Sequence, residues 1–234
     1  MEQSNLVYRV WAVLSLCVLL SGCRYKTWGE SVFNQGCKLD CFQQATCEYL
    51  RTVHIYDQFT TLGNFEVLWL SNEVRTVYSK LYAQQHCLNG ERYKVFLRRQ
   101  LEENNHYITF YVLASIPHSR GTMLSDENSE WAICLEVDGV SYSPTCIKTI
   151  ELKPEYKHLF SRAYTHFKTP YIVTFEARNI EGKPLLYAVG QTLRLHFNTI
   201  CRTDFAEWQI LSDGSVCISM DDVPDFLMYD LWKY

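Results

Sequence analysis

The sequence lacks two features that would place it across a membrane or on nucleic acid. Its main apolar run, Val10–Leu20, is shorter than the ~18 residues that a membrane-spanning helix needs. Basic residues are not in excess, because 22 Lys and Arg face 26 Asp and Glu and leave a formal net charge of −4. Nucleic-acid-binding proteins neutralise phosphates with a basic surface. We therefore expect neither a helical span nor a nucleic-acid partner.

Sequence motifs of the common catalytic and cofactor sites are also missing. The chain contains no G-x-S-x-G, H-E-x-x-H or G-x-G-x-x-G sequence and no P-loop. It also has no internal repeat and no low-complexity stretch. These absences predict a protein that is not an enzyme and that holds neither a cofactor nor a metal ion.

The first 23 residues form an export signal that ends in cysteine. Arg9 precedes the apolar run Val10–Leu20, and the small residues Ser21 and Gly22 lead from that run to Cys23. A cationic start, a short apolar core and a small-residue cleavage zone are typical of a secretory signal. The tetrapeptide Leu20-Ser21-Gly22-Cys23 resembles the lipobox of bacterial lipoproteins.

This resemblance implies removal of the signal and a lipid anchor. A signal peptidase would remove residues 1–22, Cys23 would carry lipid (palmitate among its acyl groups), and residues 23–36 would act as a tether. Two or three acyl chains hold a protein on a bilayer almost permanently, because each buried methylene contributes roughly 0.8 kcal/mol. In lipoproteins of bacteria with two membranes, aspartate after the lipidated cysteine favours the inner membrane. Here Arg24 follows, which favours the outer membrane. The alternative is a simple secretory signal in which Cys23 pairs with another thiol.

The cysteines of the exported chain predict disulfide bonds. Of the 10 cysteines, Cys17 leaves with the signal and Cys23 is the lipidation site. The others are Cys37, Cys41, Cys47, Cys87, Cys134, Cys146, Cys201 and Cys217. An even number of cysteines in an exported protein indicates structural disulfides. A zinc or redox cluster at Cys37, Cys41 and Cys47, and buried free thiols, remain as alternatives, although that cluster lacks the usual two-residue spacing of zinc ligands.

One possible disulfide is disfavoured by a predicted hairpin. The sequence Val137-Asp-Gly-Val140 is typical of a two-residue hairpin with Asp138-Gly139 at its tip. In that register Cys134 and Cys146 fall on opposite faces of the sheet. We therefore expect no bond between these two cysteines.

Residues 37–105 are predicted to form a helical segment. Apolar residues recur there at three- and four-residue steps, which is typical of one face of a helix. The first group consists of Phe42, Ala45, Tyr49, Val53 and Tyr56, and Leu62-Gly63-Asn64 ends it. The second, which Asn89-Gly90 ends, is Leu70, Val74, Val77, Tyr78 and Leu81. The third is Tyr93, Phe96, Leu97 and Leu101.

Residues 106–220 are predicted to form a β-rich domain. His106–Ser115 has apolar residues at both odd and even positions, as in a strand that is covered on both faces. The other predicted strands are 130–137, 146–152, 171–178, 185–189, 192–199 and a hairpin of 208–211 with 216–220. Between them, an apolar stripe that starts after Pro154 and ends near Pro170 predicts one helix.

These patterns together predict an α+β fold. We expect an antiparallel β-sandwich-like domain packed against the N-terminal helical segment. Residues 221–234 form an aromatic and acidic C-terminal tail, which carries Tyr229, Trp232 and Tyr234. Such side chains are frequent at interfaces, so we expect the tail to dock on its own domain or on a partner.

One group of side chains is a candidate binding surface. Glu176 and Arg178 share the polar side of one predicted strand, and Arg194 and His196 share that of another. If the two strands were sheet neighbours, a carboxylate could orient the imidazole for acid–base chemistry. Mixed charges on an exposed sheet face are more often cross-strand pairs. Ordinary cross-strand pairing therefore remains the alternative, and if these four residues have a function, we expect ligand or partner binding rather than catalysis.

The sequence thus predicts a lipid-anchored envelope protein with a structural, assembly or accessory-subunit role. Its partners would be the membrane, through the N-terminal lipid, and another envelope protein. One alternative is a module in which the sheet encloses a lipid or another apolar ligand. A second alternative is an envelope hydrolase that uses His196 with Glu176 or with a terminal aspartate.

Overall fold

Nine β-strands and four α-helices make up the part of the chain that the computed structural model describes, which is residues 41–117, 123–126, 128–187 and 189–210. The predicted lipidation site Cys23, the tether, the strand predicted for 216–220 and the C-terminal tail lie outside these residues. No helix in the described residues is both long and apolar enough to cross a membrane.

The strands form two antiparallel sheets, which confirms the predicted α+β class with antiparallel strands. The five-stranded sheet has the order β1-β2-β3-β7-β6, formed by β1 Leu50–Asp57, β2 Thr60–Trp69, β3 Tyr107–Ser115, β7 Thr169–Glu176 and β6 Cys146–Thr149. The four-stranded sheet has the order β5-β4-β8-β9, formed by β5 Val140–Tyr142, β4 Ala132–Val137, β8 Thr192–Asn198 and β9 Thr203–Gln209.

The prediction of a helix through Tyr49, Val53 and Tyr56 was wrong. Only α1, Cys41–Thr46, and a 3-10 turn, Cys47–Tyr49, are helical, and the chain then forms the β1–β2 hairpin. Apolar residues at steps of three and four also fit a strand that is buried on both faces at its start. The β-branched residues between Arg51 and Tyr56 favour the extended form.

The hairpin also joins the first third of the chain to the remainder. β2 pairs with β3 in a continuous antiparallel register, with Phe65 opposite Ala114 and Trp69 opposite Phe110. The two strands of residues 37–105 therefore belong to the same sheet as β3, β7 and β6 of residues 106–220. The hairpin predicted at Asp138-Gly139 is confirmed, with Val137 opposite Val140.

The two long helices form where the apolar stripes predict them. α2 covers Asn72–Gln85 and α3 covers Gly90–Glu103. The side chains of Ser71 and Asn89 cap them by accepting bonds from the backbone N–H groups of Val74 and Arg92, at 3.3 and 2.9 Å. α4, Pro154–Phe160, begins at the predicted proline but ends sooner than predicted. Ser161 has φ 50°, and Phe167 is 92% exposed instead of lying on a helix face.

Aromatic side chains fill the space between the sheets. Phe65 of β2 stacks on Phe197 of β8 with ring centroids 4.3 Å apart. Trp131 meets the Phe65 ring edge-on, with ring centroids 4.9 Å apart. Phe110 of β3 lies 5.4 Å from Trp208 of β9. All of these rings are buried, and rings so arranged add attraction beyond the area they bury.

The helices cover the outer face of the five-stranded sheet. Tyr111 of β3 meets Tyr156 of α4 edge-on at 4.6 Å, and Tyr156 stacks on Tyr78 of α2 at 4.3 Å. Burial raises the pKa of Tyr78 and of Tyr111 to about 12, so both hydroxyls stay protonated at neutral pH. β3 is therefore covered on both sides, as its apolar sequence predicts.

Candidate functional site

The four residues predicted to share a binding surface lie in different sheets. Glu176 is the last residue of β7, which pairs with β3 and β6. Arg178 lies two residues further along the chain. Arg194 and His196 lie on β8, which pairs with β4 and β9. The two strands are therefore not neighbours in one sheet, and the condition for a shared surface is not met. Alternation within a strand identifies its polar face but not the strand beside it.

Arg194 and His196 instead belong to a group on the outer face of the four-stranded sheet, which we call the charged ladder. It consists of Glu136 on β4, Arg194 and His196 on β8, and Glu207 on β9. Arg194 Nε lies 2.6 Å from Glu207 Oε2, and Arg194 Nη1 lies 3.2 Å from Glu136 Oε1. His196 Nε2 lies 3.0 Å from Glu136 Oε2. One guanidinium thus bridges carboxylates on both flanking strands.

The register explains why these groups meet. Arg194 is directly opposite Glu136 on one side and Glu207 on the other, and cross-strand partners of opposite charge attract. The hydrogen bond that Arg194 donates to Glu207 is the main reason that the pKa of Arg194 is raised, so the guanidinium remains charged. Phe205 adds an aromatic face, because the Arg194 guanidinium carbon lies 5.1 Å from its ring centroid.

A thiol and an amide extend the same face. Cys134 lies directly opposite His196, and Asn198 Nδ2 donates to Cys134 Sγ at 3.4 Å. A carboxylate-bound imidazole next to a thiol contains the residue types of a nucleophilic site. Here, however, His196 Nε2 is engaged by Glu136, and the ladder residues line neither of the two cavities described below. The arrangement is that of a cross-strand ion-pair network.

The sequence-based search missed the two carboxylates of the ladder. Glu136 and Glu207 each alternate with buried residues on their strands, and that alternation is the signal that could have placed them on the polar face. The order of the strands was still needed to bring them to Arg194. No group of three or more His, Cys, Asp or Glu side chains in the described ranges is arranged to hold a metal ion.

Glu176 and Arg178 line a surface groove at one end of the sandwich. This groove has a volume of about 670 Å³, and residues of the segments 140–145 and 179–181 form its other walls. Arg178 Nη1 donates to the carbonyl of Gly182 at 2.9 Å. The two predicted site residues are therefore neighbours of each other but not of Arg194 or His196.

A second cavity, which we call the end cavity, opens at the same end of the sandwich. Its volume is about 450 Å³, and its wall includes Trp69, Tyr107, Arg178, Tyr187, Val189 and Ile210. The N-terminus of α2 contributes Ser71 to the wall, and Asn72 follows it. Apolar rings and polar groups thus share the surface, as in many binding pockets.

The cysteines that the structure describes form no disulfide bond with one another. Cys41, Cys47, Cys87, Cys134, Cys146 and Cys201 are all free thiols. Cys134 and Cys146 lie in different sheets, in agreement with the expectation that they do not pair. Cys37 and Cys217 lie outside the described residues.

Comparison of the chain with known proteins gives no match to a family model, to a curated protein or to a solved structure. The fold and the contacts of the side chains therefore carry the functional argument.

Proposed function

We propose that this protein is a lipid-anchored accessory subunit of the bacterial cell envelope, held at the outer membrane through Cys23, and that its role is non-catalytic. The anchor rests on the sequence Leu20-Ser21-Gly22-Cys23 behind a short apolar run. The accessory role rests on the apolar side chains that the folded domain exposes at the β1–β2 and β8–β9 turns.

The observation that carries the accessory role is a pair of exposed side chains, which we call the apolar tip. Phe59 lies in the β1–β2 turn and is 103% exposed, and Ile200 lies in the β8–β9 turn and is 96% exposed. Arg202 Nη2 and Asp57 Oδ1, 3.5 Å apart, tie the two turns together at the same end of the sandwich. Large apolar side chains exposed at the same end of a domain favour contact with a protein partner.

The interior and the charged ladder support the same proposal. The space between the sheets is filled by buried rings such as Phe65, Phe175 and Trp208, which leaves the alternative of an apolar ligand enclosed between the sheets without support. The hydrolase alternative pairs His196 with Glu176 or with a terminal aspartate. Glu176 lies in the other sheet, and the terminal aspartates lie outside the described residues. The carboxylates of the ladder are instead engaged by Arg194 and His196.

The anchor is tested by the intact mass of the protein extracted from its host membranes in mild detergent. We expect the mass of residues 23–234 plus acyl groups, and loss of the acyl groups in a Cys23→Ala variant. A wild-type chain that is cut at another position or carries no lipid would refute the anchor.

The accessory role is tested with a photoreactive phenylalanine analogue at position 59 or 200 in living cells. We expect one and the same envelope protein to be cross-linked from both positions. The matched control is position 180 at the opposite end of the sandwich, where Ile180 is 108% exposed. Equal cross-linking of the same protein from position 180, or no protein cross-link from the apolar tip, would contradict the proposal.

A further inference from the structure

The end cavity has an apolar wall that no described residue covers. Tyr107 is 46% exposed, Tyr187 is 75% exposed and Val189 is 62% exposed. The wall is nevertheless held in place, because the Tyr187 N–H donates to Gln191 Oε1 at 2.8 Å and Gln191 Nε2 donates to Asp138 Oδ2 at 2.7 Å. A fixed apolar surface of this kind is suited to an occupant.

The chain itself leads from the wall of the cavity into the C-terminal segment. Ile210 is the last described residue and lines the cavity. Its N–H donates to the carbonyl of Gln191 at 3.0 Å, and its carbonyl accepts from Gly190 at 2.7 Å. Residue 211 therefore starts beside the cavity, and the segment 211–234 is tethered there at a high effective concentration.

The composition of this segment fits the cavity. Its apolar side chains are densest after Pro224, at Phe226, Leu227, Met228, Tyr229, Leu231, Trp232 and Tyr234. The connection from Ile210 to Phe226 spans up to roughly 50 Å when extended, so the aromatic part can fold back. A volume of about 450 Å³ is that of a small-ligand pocket, which takes a few large side chains but not the whole segment.

Charge complementarity points to the same occupant. Asp225 precedes the aromatic run and Asp230 lies within it. In the wall, Arg178 bonds to the carbonyl of Gly182 and forms no ion pair with a carboxylate among the described residues. The carboxylate of the wall, Glu73, is already hydrogen-bonded to the Tyr49 side chain. Arg178 is therefore the cation available to an acidic segment.

We propose that the aromatic segment Phe226–Tyr234 of this chain binds in the end cavity, with its apolar side chains against Tyr107, Tyr187 and Val189 and with Asp225 or Asp230 beside Arg178. The C-terminal tail is then a plug that covers the exposed wall. This inference depends on the cavity and the chain path, not on the lipid anchor.

The test is intramolecular cross-linking in the full-length chain. A photoreactive phenylalanine analogue replaces Tyr187, which is exposed and tolerates a bulky ring, and mass spectrometry maps the attachment site. We expect attachment within residues 226–234 of the same chain. The matched control carries the analogue at Phe59 in the β1–β2 turn, where no attachment to 226–234 is expected.

A second variant tests the charge pairing. Arg178→Glu should lower the yield of the cross-link from position 187 about two- to fivefold, the range expected for a surface ion pair. Combining it with Asp225→Lys and Asp230→Lys should restore the yield. Lys183→Glu is the control, because Lys183 lies in the same loop but not in the wall of the end cavity.

Three outcomes would overturn the proposal. A cross-link from position 187 to residues 226–234 of a second copy, recognised by a dimer mass, would assign the cavity to another chain. A cross-link to a different protein would assign it to a partner. Attachment only to residues outside 226–234, or none at all, would show that the segment lies elsewhere.

Discussion

Glu66 lies on the outer face of β2, where only 6% of the residue is exposed and where its carboxylate pairs with Lys168. Lys168 Nζ also donates to the carbonyl of Ala163 at 2.8 Å, while Glu66 Oε2 has no hydrogen-bond partner among the described residues. Desolvation by burial therefore raises the pKa of Glu66 above its ordinary value of 4.5, although Lys168 opposes this effect.

This raised pKa gives the protein a defined pH dependence. The folded state keeps the proton of Glu66 over a range in which the unfolded chain has released it. The free energy of unfolding therefore falls as pH rises from about 4.5 through the raised pKa. Glu66→Gln removes this loss because glutamine does not ionise.

We expect the stability of Glu66→Gln relative to the wild type to increase between pH 4 and pH 7, as measured by urea unfolding across that range. Glu151→Gln, which changes an exposed carboxyl, is the control and should show no such trend. A stability difference between Glu66→Gln and the wild type that stays constant with pH would contradict the assignment.

At the scale of single elements, Gly63 shows how β2 fits the aromatic interior. A Cβ atom at this position would lie 2.9 Å from Phe65 Cζ and 3.1 Å from Trp131 Cη2. Phe65 has little room to move, because its ring is fully buried and stacks on Phe197. We expect Gly63→Ala to destabilise the fold by about 1–3 kcal/mol, as overpacked cores do. Denaturant unfolding checks this, and Gly90→Ala is the control, since a Cβ there meets nothing within 4 Å.

Across three strands, Arg194 holds the charged ladder together. Replacing it with glutamine leaves Glu136 and Glu207, each 23% exposed, without their cation. We expect Arg194→Gln to lower the free energy of unfolding by about 1–2 kcal/mol, with a smaller loss at high salt. Lys94→Gln on α3 should change it by less than about 0.5 kcal/mol, because the ion pair between Lys94 and Glu91 is exposed. Equal losses from the two variants would show that the ladder does not stabilise the sheet.

The charged ladder also shows what sequence reasoning can and cannot provide. Alternation placed Arg194 and His196 on a polar strand face, and the apolar stripes placed α2 and α3 correctly. The partner of each strand depends on contacts between residues distant in sequence, such as Arg194 with Glu136. The stripe through Val53 and Tyr56 predicts a helix for the same reason. Its spacing does not reveal that β2 and β3 pair beside it to complete a sheet.

At the scale of the whole molecule, the two sheets are joined along one side by β1 and β9. Arg51 of β1 is 1% exposed, and its Nε donates to the carbonyl of Glu207 on β9 at 2.9 Å. Its Nη1 donates to the carbonyl of Glu48 at 2.8 Å. Trp208 Nε1 donates to the carbonyl of Tyr49 at 3.2 Å in return. A buried guanidinium thus satisfies one backbone carbonyl of β9 and one of the 3-10 turn before β1, which a smaller ammonium group cannot reach together.

This geometry predicts that a change at Arg51 loosens both sheets and not β1 alone. Arg51→Lys should lower the free energy of unfolding by about 2 kcal/mol, because at least one buried carbonyl loses its donor. Hydrogen exchange should accelerate in β1 and also in β9, although these strands belong to different sheets. Arg98→Lys on the exposed side of α3 is the control and should leave exchange unchanged. Faster exchange confined to β1 would mean that the sheets are held together by the aromatic interior alone, and that Arg51 serves only its own strand.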